Sequence, residues 1–282
     1  MKNPFSPFTF PSTINHQPST IFPYILISIL FLFSCSGNEE NKTITQTDTT
    51  ANDTTFIPKE HPDSVRAAIL KTVPKDVKPI FGYRFVIDGD FNGDGKKEKL
   101  IEHFVSTNNN KEISKFYNGT VTYGQLLALT YEKHPHSYMN CTDKKIDTLD
   151  IEQGEQLWGI RYARNEGDLD GDGGDEISFV TDWADFSAMN TVRLYTYKND
   201  EWKEYISFEI QEDELPVLPN ENPEYANAVS KTDTAYIKFQ KELKAFPGYI
   251  TKLGKGKIKA RVYSAESAGY IFREIDLSKL ER

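Results

Sequence analysis

The chain has 282 residues, with 42 Asp and Glu against 33 Lys and Arg, for a formal net charge of −9. No Lys/Arg cluster interrupts that acidic balance, which argues against nucleic acid as a partner. Its two cysteines exclude a disulfide-stapled framework of the small secreted kind.

The first feature in chain order is the apolar run Ile25-Leu26-Ile27-Ser28-Ile29-Leu30-Phe31-Leu32-Phe33. Even extended back to Ile21 it is shorter than the roughly 20 residues of a membrane-spanning helix, so residues 1–34 read as a processing segment. The run ends in Leu32-Phe33-Ser34-Cys35, which resembles the lipobox of bacterial lipoproteins. That resemblance implies cleavage before Cys35, diacylation of Cys35 and a membrane hold through several acyl chains. The n-region departs from the pattern, being long, Pro-rich and carrying only Lys2 as a firm positive charge. An ordinary signal peptide, or a weak anchor with an incidental Cys, is the alternative. Ser36-Gly37-Asn38-Glu39-Glu40 is similar to the signal that sends some Bacteroidetes lipoproteins to the cell surface, and otherwise reads as a plain hydrophilic tether. The expected address is the cell envelope, as an outer-membrane lipoprotein that could be surface-exposed. Removing residues 1–34 leaves 248 residues (282 less 34), enough for one large domain or two small ones. With Cys35 lipidated, Cys141 has no partner.

Residues 35–60 read as a disordered tether, since a Thr-rich stretch of low apolar content cannot bury a core. Asp48-Thr49-Thr50 and Asp53-Thr54-Thr55 are similar to short O-glycosylation acceptors, although such tripeptides also arise by chance. A β-rich domain is expected over 61–282. Asp63 or Ser64 caps a short helix through Leu70, which Pro74 and Pro79 stop. From Gly82 the period becomes 2: Tyr83, Phe85 and Ile87 alternate with Arg84 and Val86, predicting a strand. Gly159-Ile160-Arg161-Tyr162-Ala163 repeats Gly82-Tyr83-Arg84-Phe85-Val86. Ile177 and Phe179 alternating with Ser178 and Val180 predict a second exit strand. Thr191–Tyr197 and Trp202–Ile210 predict a hairpin around Lys198-Asn199-Asp200-Glu201. Asn222-Pro223 is a helix start. Asp233–Phe246 has helical spacing with Tyr236, Phe239, Leu243 and Phe246 on one side. Lys257–Ser264 and Tyr270–Leu277 return to strand alternation in a C-terminal α/β portion.

The chemistry lies in two copies of one acidic loop, each delivered by a predicted strand. Asp90-Phe91-Asn92-Gly93-Asp94-Gly95-Lys96-Lys97-Glu98 and Asp168-Leu169-Asp170-Gly171-Asp172-Gly173-Gly174-Asp175-Glu176 both read D-x-[DN]-G-D-G-x-x-E. Oxygen ligands at positions 1, 3, 5 and 9, with Gly at 6 for a sharp turn, suit a hard cation such as Ca2+. An EF-hand is excluded, because position 12, its bidentate Glu, is here Ile101 and Phe179. The pattern instead resembles the calcium loop of FG-GAP and VCBS repeats, D-x-[DN]-x-D-G-x-x-D between strands of a propeller blade, with Glu in place of the last Asp. By that resemblance the ligands are the side chains of Asp90, Asn92, Asp94 and Glu98 with the Lys96 carbonyl, and those of Asp168, Asp170, Asp172 and Glu176 with the Gly174 carbonyl. The repeats cover about residues 82–107 and 159–181, too few for a closed propeller. The expected fold is mainly β with minor α (α+β), built on two blade-like strand–Ca loop–strand units. Four carboxylates against three predict tighter calcium binding at the second loop.

Other candidates have blander readings beside them. Asp182 and Asp185, next to Trp183 and Phe186, could serve glycan hydrolysis, or simply form a turn with a packed Trp. His103, His134 and His136 lack a zinc spacing and read as solvated loop residues. The functional expectation is an exported, lipid-anchored calcium-binding protein with a binding or scaffolding role toward an envelope protein or glycan. An envelope glycan hydrolase is the alternative, and a calcium-sensing subunit of an envelope complex is a third, weaker option.

Overall fold

Antiparallel pairing organises the chain in a computed structural model that describes residues 62–118, 121–184, 187–219 and 231–280. The processing segment, the tether with Cys35, Asp185 and the Asn222-Pro223 helix start lie outside the described residues. The elements are α1 (Pro62–Lys71), β1 (Lys78–Ile80), β2 (Val86–Gly89), β3 (Glu98–Ser106), β4 (Lys111–Glu112), β5 (Phe116–Asn118), α2 (Tyr123–Tyr131), β6 (Pro135–Cys141), β7 (Leu149–Gln153), β8 (Leu157–Gly167), β9 (Glu176–Trp183), β10 (Met189–Lys198), β11 (Glu201–Gln211), α3 (Thr234–Ala245), β12 (Ile250–Gly254), β13 (Lys257–Ser264) and β14 (Gly269–Asp276). They make a mixed α/β fold dominated by antiparallel sheets, neither a closed barrel nor a propeller. The first large sheet runs β2-β3-β6-β7 with β4 beside β3, the second β8-β9-β10-β11 and the third β12-β13-β14, while β1 and β5 form a small pair.

Each acidic loop is the first hairpin connection of its sheet. The Asp90 loop joins β2 to β3 and the Asp168 loop joins β8 to β9. In the third sheet the same place, between β12 and β13, is taken by a short turn at Lys255-Gly256. The two glycines that open the sequence repeat have a shared physical reason. Gly82 and Gly159 both have positive φ (81° and 97°), and a Cβ on either would strike the Lys115–Phe116 segment.

The strand expected from Gly82 pairs with β3 only from Val86, although Tyr83, Phe85 and Ile87 are buried in alternation as expected. The departure comes from Glu102, whose carboxylate accepts the Phe85 N–H at 2.9 Å in place of a ladder carbonyl. The second exit strand, β9, does not alternate between core and solvent. It lies between β8 and β10 and is buried on both faces, with Phe179 in one apolar cluster and Val180 in the other. The hairpin expectation holds: Asn199 and Asp200 turn β10 into β11 with φ of 54° and 63°, the type I′ geometry that Asn and Asp tolerate. Helix α3 begins after Asp233 and buries Tyr236 and Phe239, which join Tyr83 and Phe85 in the first cluster.

His103 and His136 are strand residues, not solvated loop residues. His103 on β3 pairs with Glu112 at 2.7 Å and His136 on β6 with Asp150 at 2.8 Å, while the Tyr138 ring packs between both imidazoles. Only His134, with a φ of 45°, occupies a connection.

Lys133, after α2, gives one testable consequence of burial. Its ammonium donates to the Ser114 carbonyl at 2.7 Å and stands 4.2 Å from the Tyr117 ring centre. Burial, helped by the nearby Arg84 charge, pulls its pKa from 10.5 down to about 8. A folded pKa below the unfolded one means that the unfolded chain binds more protons between those values, so stability rises with pH there. Relative to Lys133→Met, the wild type should gain up to about 3 kcal/mol between pH 8 and 10.5, at 1.36 kcal/mol per pH unit. Paired urea melts across that range would show parallel curves if Lys133 were fully solvated.

Candidate metal centre

The two acidic loops share their hydrogen-bond pattern at positions 2, 3, 5, 7 and 9 and differ in the donors to position 1. At position 2, the buried Phe91 and Leu169 turn inward, each about 1% exposed. Their N–H groups donate to the Glu at position 9: Phe91 to Glu98 at 3.1 Å and Leu169 to Glu176 at 2.6 Å. The position 5 N–H donates to the position 3 side chain, Asp94 to Asn92 at 3.0 Å and Asp172 to Asp170 at 2.9 Å. The position 7 N–H donates to the position 5 carboxylate, Lys96 to Asp94 and Gly174 to Asp172, both at 2.9 Å. Asp90 accepts from Asp94 and Gly95, and Asp168 from Gly171. These are Asx turns in series, which curl the backbone so that successive acids converge.

Carboxylate oxygens of Asp90, Asp94 and Glu98 lie within 4.8 Å of one another in the first loop, as do those of Asp168, Asp170 and Glu176 in the second. Asp172 is not in that second group. It is exposed and pairs with Lys198 at 3.2 Å, so three acids lie this close together in each loop. Asn92 remains at the first loop with its side-chain oxygen on the Asp94 N–H.

Burying carboxylates beside other carboxylates is unfavourable unless a cation compensates. Glu98 is 6% exposed and Glu176 fully buried. Burial raises the Glu98 pKa against the opposing Phe91 N–H bond, and Asp90 and Asp94 add to the rise. Burial likewise pushes Glu176 up to about 8, with Asp170 and Asp172 contributing, despite bonds from Leu169 N–H and the Thr196 hydroxyl. Three carboxylates per loop, with their backbone already curled, suit the all-oxygen, high-coordination preference of Ca2+. Mg2+ prefers fewer protein ligands and retains its water.

The loops also stack. The Asp175 N–H donates to the Asp90 carbonyl at 2.6 Å, and the Asp90 N–H returns to the Asp175 carboxylate at 3.1 Å. Asn165 braces this contact, bonding the Asp88 carbonyl and the Asp175 carboxylate. Gly93 lies flat on the second loop, where a Cβ would come 3.2 Å from the Gly173 carbonyl carbon and the Gly174 nitrogen. The Lys255-Gly256 turn stacks in the same sense on the second loop, with the Gly256 N–H on the Leu169 carbonyl at 2.9 Å.

The remaining candidates gather less. Asp182 is 5% exposed within β9, near the Lys115 ammonium. Cys141 is buried and its thiol pKa is raised by that burial, which keeps it unreactive. Among the described residues no helix is long and apolar enough to cross a membrane. No family model, curated protein or solved structure matches the chain.

Proposed function

We propose that both acidic loops are calcium sites of an exported, lipid-anchored envelope protein, and that calcium rigidifies two blade-like strand–loop–strand units whose outer surfaces bind an envelope protein or glycan. The ligands are Asp90, Asn92, Asp94, Glu98 and the Lys96 carbonyl in the first loop, and Asp168, Asp170, Asp172, Glu176 and the Gly174 carbonyl in the second. The observation that carries the reading is the recurrence, in both loops, of one hydrogen-bond pattern around a buried position 9 glutamate. A turn with no ligand has no need to bury a carboxylate among other acids twice in the same way. The address and the acyl anchor rest on the Leu32–Cys35 resemblance, and the binding role on the two loops as its structural supports.

The experiment is thermal unfolding of the full chain in detergent, with calcium and with excess chelator. Ligand at a hundredfold excess over Kd stabilises by about 2.7 kcal/mol per site. For a domain of this size that is a rise of about 5–10 °C. Asp90→Asn should reduce the rise, and Glu176→Gln reports whether the second loop shares in it. Equal melting temperatures in calcium and chelator would sink the calcium reading. Mass spectrometry of the membrane-bound chain should find an acylated Cys35 as its first residue, and an intact, unacylated Cys35 would remove the anchor reading.

A further inference from the structure

The two loops differ in what neutralises them. Lys198, the last residue of β10, places its ammonium 2.6 Å from an Asp170 carboxylate oxygen and 3.2 Å from Asp172. Tyr205 on β11 holds it from the other side, its hydroxyl on both Lys198 and Asp170. Lys252, from the third sheet, donates to the Asp168 carbonyl, and the stem of Lys255 lies on Gly171. The first loop has no equivalent. Among the described residues its ammonium pair is Lys96 on Asp94 at 3.3 Å, with the Lys96 side chain 79% exposed and Lys145 acting from farther off, and the neighbour stacked on it brings the carboxylate of Asp175.

We propose that Lys198 is the resident cation of the second loop, so that a divalent ion fills the first loop and enters the second only when Lys198 is removed. The inference rests on the calcium reading above and narrows it: in the wild type the ion is held at the first loop, and the second loop takes one only without Lys198. Calcium–oxygen distances are about 2.3–2.6 Å. An ion on Asp170 would therefore come within a few ångströms of the ammonium already there, and their repulsion in a partly buried site is large. The type I′ turn at Asn199-Asp200 fixes the end of β10, and the Tyr205 hydroxyl fixes the side chain, so Lys198 cannot simply swing away. Counting carboxylates favours the second loop; counting resident charge reverses the order. The second loop is then a lysine-braced joint between the second and third sheets, and the first an exchangeable site.

The test is calorimetric titration of Ca2+ into the full chain and into Lys198→Met, Lys198→Arg, Asp90→Asn and Asp168→Asn, each checked for folding by circular dichroism. The expected result is one tight ion per chain in the wild type, Lys198→Arg and Asp168→Asn, an affinity loss of at least tenfold in Asp90→Asn, and two tight ions in Lys198→Met. In chelator, Lys198→Met should melt below the wild type and be restored by calcium. If Lys198→Met does not fold, Lys198→Gln takes its place. Two ions of similar affinity in the wild type, or one ion lost in Asp168→Asn instead of Asp90→Asn, would overturn the proposal and leave the calcium reading intact. One ion in a folded Lys198→Met would also overturn it. No binding by either the wild type or Lys198→Met would overturn the parent reading together with this one.

Discussion

Glu102→Gln is expected to lower the unfolding free energy by about 3–5 kcal/mol, the range for breaking a buried ion pair from one side. Glu102 and Lys115 are both fully buried at the side chain and lie 2.6 Å apart. The carboxylate also accepts the Phe85 N–H at 2.9 Å and the Ile160 N–H at 3.1 Å, while the ammonium donates to the Ile160 carbonyl at 3.2 Å. One carboxylate thus ties β3, the segment before β2 and the start of β8 together. Glutamine offers one acceptor oxygen to two backbone N–H groups and turns its own NH2 against one of them. Lys115 is left with the Ile160 carbonyl and the more distant charge of Asp182. Burial already lowers the Lys115 pKa from 10.5 against the pull of Glu102, and losing Glu102 lowers it further. The unfolded lysine then binds more protons than the folded one below pH 10.5, so the loss in Glu102→Gln should shrink as pH rises toward that value. An apolar pair, Glu102→Leu with Lys115→Met, should not restore the wild-type value, because Phe85 and Ile160 N–H would be buried without acceptors, at about 1–3 kcal/mol each. Urea melts of the single and double variants measure all three effects, and a Glu102→Gln loss below 1 kcal/mol would show the pair to be dispensable.

Local signals in the chain were legible where the chemistry is local. The acidic loops were readable because their ligands and glycines are contiguous, and Gly93, Gly95, Gly171 and Gly173 all take the positive φ that their place in the motif suggests. Asn199-Asp200 announced its turn, and Tyr236 and Phe239 the buried face of α3. Helix α2 was missed although its capping box was present: Thr122 and Gln125 bond each other reciprocally, at 3.3 and 2.8 Å. Its apolar residues run Leu126-Leu127-Ala128-Leu129 with no polar face, so periodicity gave no helical signal. Strand β9 forms where expected, but its burial on both faces was not readable, since a strand covered on both faces has no core–solvent alternation. The pairing of Lys198 with Asp170, and of Lys115 with Glu102, was out of reach. Each depends on strand registers that bring distant residues together, and no spacing rule within one segment encodes them. A count of carboxylates within one loop therefore leaves Lys198 out of the comparison between the two sites.

Phe91→Ala should cost about 3–5 kcal/mol, the usual range for emptying a buried aromatic site. It should also weaken calcium at the first loop, where no ligand has been touched. Phe91 is 1% exposed, in the first apolar cluster, with its ring centre 6.0 Å from that of Trp202 on β11. Its backbone is part of the loop itself. The N–H holds Glu98, and the carbonyl lies against Gly174 of the second loop, where a Cβ would come within 3.0 Å. The side chain therefore plugs the loop into the core while its backbone sets the position 9 glutamate and the contact between loops. Losing the ring leaves a cavity between the first sheet and β11 and frees position 2, so the three acids must be ordered by the ion alone. Leu169 has the equivalent place in the second loop but belongs to the other apolar cluster. Leu169→Ala should cost about 2–5 kcal/mol by the same cavity effect. Because the loops touch through Asp90 and Asp175, the two losses should not simply add, and a coupling of about 0.5–3 kcal/mol is expected. A double-mutant cycle by urea melts in chelator measures that coupling with no ion present. A coupling indistinguishable from zero would mean that the loops are anchored independently. A clear coupling would mean that occupying one loop alters the order of the other, and so that an ion at Asp90 is felt at Asp168.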